Sequence, residues 1–569
     1  MNITTYIIKI LTITVVNFVV SSCNIHHVKS DKQDIADTDF QFASCEQTQV
    51  EKKVPFLQEF TPRKAPKLKI TENHIPEPKG YEVQIKINPH KEIRKIPQVL
   101  YGNNAAVWLG REYISNNLFK KRVMTAGLAL LRWPGGSTSD LYHWTGKIPA
   151  SGEPLNWPDI HDHSWAPDTG KFLKFTKETG ALPIIVVNHG YTSYGHGSAK
   201  KRLEKAVQMA ADWVEYCNSP DDGSNPQGGI DWAHKRAEDG YTKPFKVKYW
   251  EIGNEVFGDW EIGHVSGEKY ASHFIAFAEA MKNIDPSIYI GANVVVNFNT
   301  PGMTLWMKQL LSNKRALDLM DFADIHDYFK YVQTKLPKAK HIRKYYRQIN
   351  EDKEELDRLF KKYAKSKPVP YFFGEFHLTH PQNPLNVTLA SGLVVADVIG
   401  EFIKNGFAAA ALWDTANEWK NGGDLGFITR NSPDVPDYYP YPAYYPFYMF
   451  SQKFGDTLIA TDQNNWDIHI YGAKFSDNKI SLIIVNPHDS PKTANVKIAD
   501  HNIDGYVNAW ILNGPDFMKS KIAFNGITTI HNHAGTEIKE SYTLFKDIGK
   551  IENIKLPVLP NSVTCFIIY

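Results

Sequence analysis

The chain has 569 residues, 42% hydrophobic and 22% charged, which is ample for a large core and longer than one core usually organises, so two domains are expected. Its 64 basic and 62 acidic residues leave a formal charge of +2 with no long basic run, which excludes an obvious nucleic-acid partner. Aromatic residues reach 13%, a share that suits stacking on sugar rings as well as plain core packing.

In chain order, the apolar stretch Ile10 to Val20 follows Lys9 and ends in Val20-Ser21-Ser22-Cys23. It is short for a bilayer span, so residues 1–23 are expected to be an export signal. Its end is similar to the lipobox of bacterial lipoproteins, which implies a lipid on Cys23 and a membrane anchor on the cell envelope, at the outer membrane. An ordinary secretory signal, leaving the protein periplasmic or secreted, is the alternative. The polar run from Asn24 predicts a flexible tether over 24–75. Beyond Cys23, the cysteines Cys45, Cys217 and Cys565 are odd in number and irregularly spaced, so no disulfide framework is indicated; Cys217 and Cys565 read as buried free thiols.

Tyr81 to Ile87 alternates at period two, the mark of a half-buried strand. Eight further β-rich runs then alternate with helical patterns: Val99 to Ala105, Leu128 to Trp133, Pro183 to Asn188, Val247 to Asn254, Tyr289 to Val296, Phe322 to His326, Tyr371 to Glu375 and Ala408 to Trp413. Helical spacing is visible over Arg202 to Tyr216, Lys269 to Asn283, Met303 to Leu311, Asp352 to Tyr363 and Thr388 to Lys404. This predicts an α/β fold, a (β/α)8 TIM barrel over 99–455 with its functional rim at the loops after the strands. From Asp456 the pattern changes to short strands with turn signals, which predicts an antiparallel β-sandwich over 456–569.

Two barrel strands end in carboxylates. Trp250-Glu251-Ile252-Gly253-Asn254-Glu255 delivers Glu255 to the rim, and Phe372-Phe373-Gly374-Glu375-Phe376 delivers Glu375. Either alone is most simply a solvated loop carboxylate. Facing one pocket, the two can break a glycosidic bond, one protonating the leaving oxygen while the other attacks the anomeric carbon.

These runs, with Leu131-Arg132-Trp133-Pro134-Gly135-Gly136 and Ala211-Asp212-Trp213-Val214-Glu215-Tyr216-Cys217-Asn218, resemble the clan A retaining glycoside hydrolases, with the nearest likeness to family 51, the α-L-arabinofuranosidases and related endo-β-glucanases. The likeness covers most of the chain after about Gln98, and implies that residues 76–98 join the C-terminal sandwich. It implies Glu255 as acid/base, Glu375 as nucleophile and Arg132 beside that nucleophile, with Asn254 on the sugar's 2-hydroxyl and His326 and Tyr328 on the nucleophile or the sugar.

Residue chemistry fits those roles. Arg132 can hold a carboxylate through charge-assisted hydrogen bonds. Glu255 is expected to be kept protonated by its neighbourhood. Asn188 after the third strand, and Asp140, Tyr142, His143 and Trp144 after the second, are candidates to reach substrate. Trp413 after the eighth strand offers an indole platform for a sugar, and Trp260, Trp108 and Trp419 are candidates for further subsites. No cofactor is implied. His161-Asp162-His163 and His377-Leu378-Thr379-His380 lack the third ligand and the spacing of a zinc site, so no catalytic metal is expected.

The expected partner is a plant or algal polysaccharide or its oligosaccharides, cleaved by double displacement. Two rivals stand beside it: a non-catalytic, lipid-anchored glycan-binding protein on a degenerate barrel, and a clan relative acting on xylosides or uronides. An acidic sugar calls for a basic group such as Lys200, Lys201 or Lys420. The loop from Pro149 to Asp168 and the charged stretch from Lys330 to Lys367 depart from the arabinofuranosidase pattern.

Overall fold

The computed structural model describes residues 54–68, 75–145, 166–296, 301–329, 339–364, 367–465, 467–500, 505–528, 543–545 and 553–569. The export signal with Cys23, the His161-Asp162-His163 run and most of the Pro149 to Asp168 loop lie outside them.

Strand β1 (Tyr81–Lys95) precedes eight short parallel strands, β2 (Gly102–Asn104), β3 (Leu130–Trp133), β4 (Leu182–Val187), β5 (Tyr249–Ile252), β6 (Tyr289–Val294), β7 (Phe322–Tyr328), β8 (Tyr371–His377) and β9 (Ala409–Leu412). They close into a barrel in sequence order, β9 pairing back onto β2. Each predicted run overlaps one of these strands, and the predicted helices appear as Ala199–Asn218, Gly267–Ile284, Pro301–Leu311, Ala339–Tyr363 and Leu389–Asn405.

Alternation along each strand sorts the side chains. Leu131, Trp250 and Ala323 face outward into the large core shared with the helices, while Leu130, Tyr249 and Phe322 fill the barrel interior. One step further along the same inner face come Arg132, Glu251 and Asp324, all fully or almost fully buried. The apolar layer is closed from below by Phe56, whose ring stacks on Tyr249 at 4.5 Å and meets Phe322 edge-on at 5.0 Å. The expected tether over 24–75 is therefore corrected at its C-terminal end. Phe56 is completely buried, and Arg63 Nη2 donates to the Phe454 carbonyl at 2.8 Å, so 54–68 belongs to the folded body. The short apolar run Val54-Pro55-Phe56-Leu57 after a polar stretch was the signal for it.

The C-terminal strands β10 (Thr457–Gln463), β11 (His469–Lys474), β12 (Ile480–Asn486), β13 (Lys492–Ile498), β14 (Val507–Asn513), β15 (Ala523–Phe524), β16 (Ile527–Thr528), β17 (Thr543–Phe545), β18 (Asn553–Val558) and β19 (Ser562–Ile568) form one eleven-stranded sheet together with β1. Pairing is antiparallel except between β1 and β13, so β1 does join the C-terminal sheet. The two halves of the sheet share an apolar core that includes Ile85, Val496, Leu482 and Phe566. Cys217 and Cys565 are buried free thiols, as expected.

Candidate active site

The charged layer converges on Arg132. Its Nε and Nη2 donate to the two oxygens of Glu251 at 2.8 and 3.1 Å, Nη2 also to Asn254 Oδ1 at 3.0 Å, and Nη1 to Asn104 Oδ1 at 3.1 Å and Glu375 Oε1 at 2.9 Å. Burial alone disfavours this charge, but Glu251, Asp324 and Glu375 outweigh it, so the guanidinium is held charged. Asn293 Nδ2 completes the shell, donating to Glu251 at 3.0 Å.

Glu375 reaches this shell through an irregularity in the barrel. Ile325 pairs with Phe373 and His326 with Glu375, so Gly374 is an extra residue between them. A Cβ at Gly374 would lie 2.0 Å from Asp324 Oδ1, so only glycine lets that carboxylate pass beneath the bulge. The second oxygen of Glu375 accepts from Tyr328 Oη at 2.8 Å.

Glu255 sits beyond the end of β5 with φ of 43°, a left-handed conformation unusual for a residue with a side chain. His326 Nδ1 lies 3.0 Å from its Oε1, and Trp260 Nε1 donates to its Oε2 at 2.7 Å. The expectation that its surroundings keep it protonated is not met. Burial pushes the Glu255 carboxyl up, but the hydrogen bond and charge of His326 and the Trp260 N–H outweigh this and hold it below the usual carboxylate value. His326 supplies that charge because Asp324, 2.9 Å from its Nε2, and the nearby Glu375 raise the imidazole well above its ordinary value against the opposing effect of burial. Asp324 itself is held low: burial opposes ionisation, and the His326 charge and a hydrogen bond from Glu251 overcome it. Glu251 moves the other way, raised by burial and by the neighbouring Asp324.

One oxygen of Glu255, one of Glu375 and a ring nitrogen of His326 all lie within 4.8 Å of one another. Among the described residues, this trio and Glu251-Asp324-His326 are the groupings tight enough for a metal ion, and both belong to this one site. His377 and His380 form no such grouping with an acid there; His377 Nδ1 instead receives the Leu378 N–H and the Asn386 amide, each at 2.7 Å.

A cavity of about 480 Å³ opens over the carboxylates, with Asn254, Glu255 and Glu375 joined in its lining by His326, Tyr328, Trp260 and Trp413. Trp413 is 6% exposed and packs edge-on against Trp108 at 5.4 Å. A Cβ on Gly136 would lie 2.4 Å from its ring, so the second glycine of Pro134-Gly135-Gly136 makes room for the indole. Trp260 is 53% exposed at the rim.

Other expected residues are placed elsewhere. Asn188 does not line the cavity; its amide donates to Tyr194 Oη at 2.7 Å and accepts from the Tyr191 N–H at 2.9 Å, fastening its own loop. Asp140 accepts the backbone N–H groups of His189, Gly190 and Asn254. Tyr142 and Trp144 pack on Trp213 rather than facing the cavity. Trp419, Lys200, Lys201 and Lys420 are not part of the lining. Sequence reasoning missed Glu251, Asp324, Asn293 and Asn104, although the period-two pattern of β5 and β7 places Glu251 and Asp324 on the inner face.

The fold and site together define a (β/α)8-barrel protein with a two-carboxylate cavity at the C-terminal ends of its strands. Comparison with known proteins then narrows the class. The family profile described as the alpha-L-arabinofuranosidase 1 domain matches residues 124–348. Alpha-L-arabinofuranosidase C of Emericella nidulans is 28% identical over 274 residues, 43% of this chain and 49% of that protein. The chain thus spans about half the length of that relative. The crystal structure of an alpha-L-arabinofuranosidase from Thermotoga maritima, in complex with arabinose, superposes with a TM-score of 0.64 at 19% identity, covering 85% of this chain and 99% of that one. A Paenibacillus polymyxa xyloglucanase of glycoside hydrolase family 44 superposes with a TM-score of 0.58 at 13% identity, covering 86% and 100%. At such identities the likeness to both structures is one of fold.

Proposed function

We propose that the protein is a retaining glycoside hydrolase acting on plant or algal polysaccharide or its oligosaccharides, of the α-L-arabinofuranosidase or endo-β-glycanase type. The observation that carries this is the approach of Glu255 and Glu375 oxygens to within 4.8 Å across the cavity. Double displacement needs carboxyls about 5–5.5 Å apart, whereas inversion needs roughly 6.5–9.5 Å to seat a water between them. The profile matched over 124–348 favours the arabinofuranosidase form.

Glu375, steadied by Arg132 and Tyr328, attacks the anomeric carbon while the bond to the leaving oxygen breaks. The proton for that oxygen comes from the Glu255–His326 pair. A sugar in the cavity displaces water from Glu255, which favours the neutral acid and draws the proton from His326 to the carboxyl. Glu255, again an anion, then takes a proton from water as the water attacks the glycosyl ester, and configuration is retained. Asn254 keeps an amide hydrogen for the sugar's 2-hydroxyl, and Trp413 provides a stacking face in the wall.

The test compares the wild type with Glu375→Ala and Glu255→Ala on aryl arabinofuranosides, β-glycosides and a panel of plant and algal polysaccharides, with products read by chromatography. Hydrolysis by the wild type and its loss in both variants is the expected result. Binding without cleavage by the wild type overturns it in favour of a glycan-binding protein.

We also propose, on the run Ile10 to Cys23 alone, that the protein is exported and lipid-anchored through Cys23. Labelling with radioactive palmitate checks this: the label should enter the wild type and be absent from Cys23→Ala, and an unlabelled wild type contradicts it.

A further inference from the structure

Glu261 lies in the loop after β5, lines the cavity and is 6% exposed. Its Oε1 accepts from Ser137 Oγ at 2.7 Å and from Asn254 Nδ2 at 3.1 Å, while its Oε2 is buried without a hydrogen-bond partner. Asn254 is thus gripped from two sides. The guanidinium of Arg132 can only donate, so the Asn254 atom facing it is the amide oxygen, and Nδ2 necessarily turns toward Glu261. One hydrogen of Nδ2 is used there, leaving the other for a ligand.

The charges around Glu261 decide which form does this work. Asp140 faces it from the loop after β3, Glu255 from its own loop and Glu375 from β8, and all are acidic. An ionised Glu261 adds another negative charge beside the reacting pair and leaves a buried oxygen of that charge without a donor. Against this stand the Ser137 hydroxyl and one Asn254 N–H, both on Oε1.

We propose that Glu261 is a positioning residue that works as a neutral carboxylic acid, fixing the amide of Asn254 for the sugar without adding charge next to Glu255 and Glu375. Burial, opposed by Ser137 and reinforced by Asp140, Glu255 and Glu375, pushes this carboxyl up to about 8, so it stays neutral at physiological pH. The inference rests on the glycosidase function proposed above.

The experiment compares wild type, Glu261→Gln and Glu261→Ala. Glutamine keeps an acceptor for Ser137 and Asn254, places an N–H where the acid carries its O–H, and is neutral at every pH. Glu261→Gln should stay within a few-fold of the wild type at neutral pH and outperform it above about pH 8, where the wild type loses its proton. Glu261→Ala should lose about tenfold to a hundredfold, mainly in kcat, because Asn254 is then held from one side only. A glutamine variant as impaired as the alanine one, or matching alkaline limbs in wild type and Glu261→Gln, overturns the proposal. A readout that needs no turnover separates this from a failure of the glycosidase function itself. The infrared difference between wild type and Glu261→Gln should show a protonated-carboxyl band at neutral pH that fades above about pH 8, and its absence at neutral pH overturns the proposal whatever the enzyme hydrolyses.

Discussion

Two layers of the barrel interior, one alternation step apart on the same strands, obey opposite rules. Leu130, Tyr249 and Phe322 form an apolar layer that Phe56 seals. Arg132, Glu251 and Asp324, two residues later on the same strands, form a layer of buried charges, with Arg132 hydrogen-bonded to Glu251 and ion-paired with Asp324. The lower layer gains from removing area from water, at roughly 25 cal/mol per Å². The upper one must first overcome the desolvation of several charges, and a buried ion pair rarely does better than break even. Stability is therefore concentrated below and pre-organised charge above, and substitutions in the two layers should fail differently.

The sharpest contrast is expected at Arg132. Arg132→Leu leaves Glu251, Asp324 and Glu375 without their shared cation, so stability should fall by about 3–5 kcal/mol in urea unfolding and hydrolysis should drop to background even where the protein stays folded. Phe56→Ala should cost a comparable amount, about 3–5 kcal/mol, by opening a cavity, yet leave kcat/KM within a few-fold at a temperature where the variant is folded. Loss of activity in step with stability in that variant would merge the two layers into one.

Smaller effects separate the parts of the upper layer. Tyr328→Phe removes one hydrogen bond to Glu375 and should lower kcat about tenfold to a hundredfold with little change in Tm. His326→Gln tests the charge balance through pH. The imidazole is raised, so its contribution is complete below the unfolded value near about 6.5 and fades as pH rises through the folded one; Glu255 and Asp324 are lowered, so theirs is complete above roughly 4.3 and fades as pH falls. The Tm gap between wild type and variant should be widest between about pH 4.3 and 6.5, and a gap independent of pH would contradict the ion-pair account.

The same contrast explains how far the sequence could be read. All eight barrel strands were legible, because a hydrophobic run bounded by loops announces itself locally. Glu255, Glu375 and Arg132 were legible as strand-end residues in recognisable runs; the structure brings the two glutamates together with Asn254, His326, Tyr328, Trp260 and Trp413 at one cavity, while Arg132 lies buried behind Glu375 and does not line it. Asn188 looked equally well placed, yet its amide closes its own loop, a difference set by contacts with Tyr191 and Tyr194 that strand position does not encode. The protonation state of Glu255 was read wrongly for a related reason: burial is suggested by sequence, whereas the two donors on its oxygens come from Trp260 on the same loop and His326 on β7. Phe56 was missed because a single aromatic plug has no periodicity.

The spacing of Glu255 and Glu375 sets a double displacement, which the stereochemistry of the first product reports. Proton NMR, recorded during the first turnovers of a glycoside that the enzyme cleaves, reports the anomer released before mutarotation scrambles it. The expected product has the same anomeric configuration as the substrate. Release of the opposite anomer would contradict it and require a water between the two carboxylates.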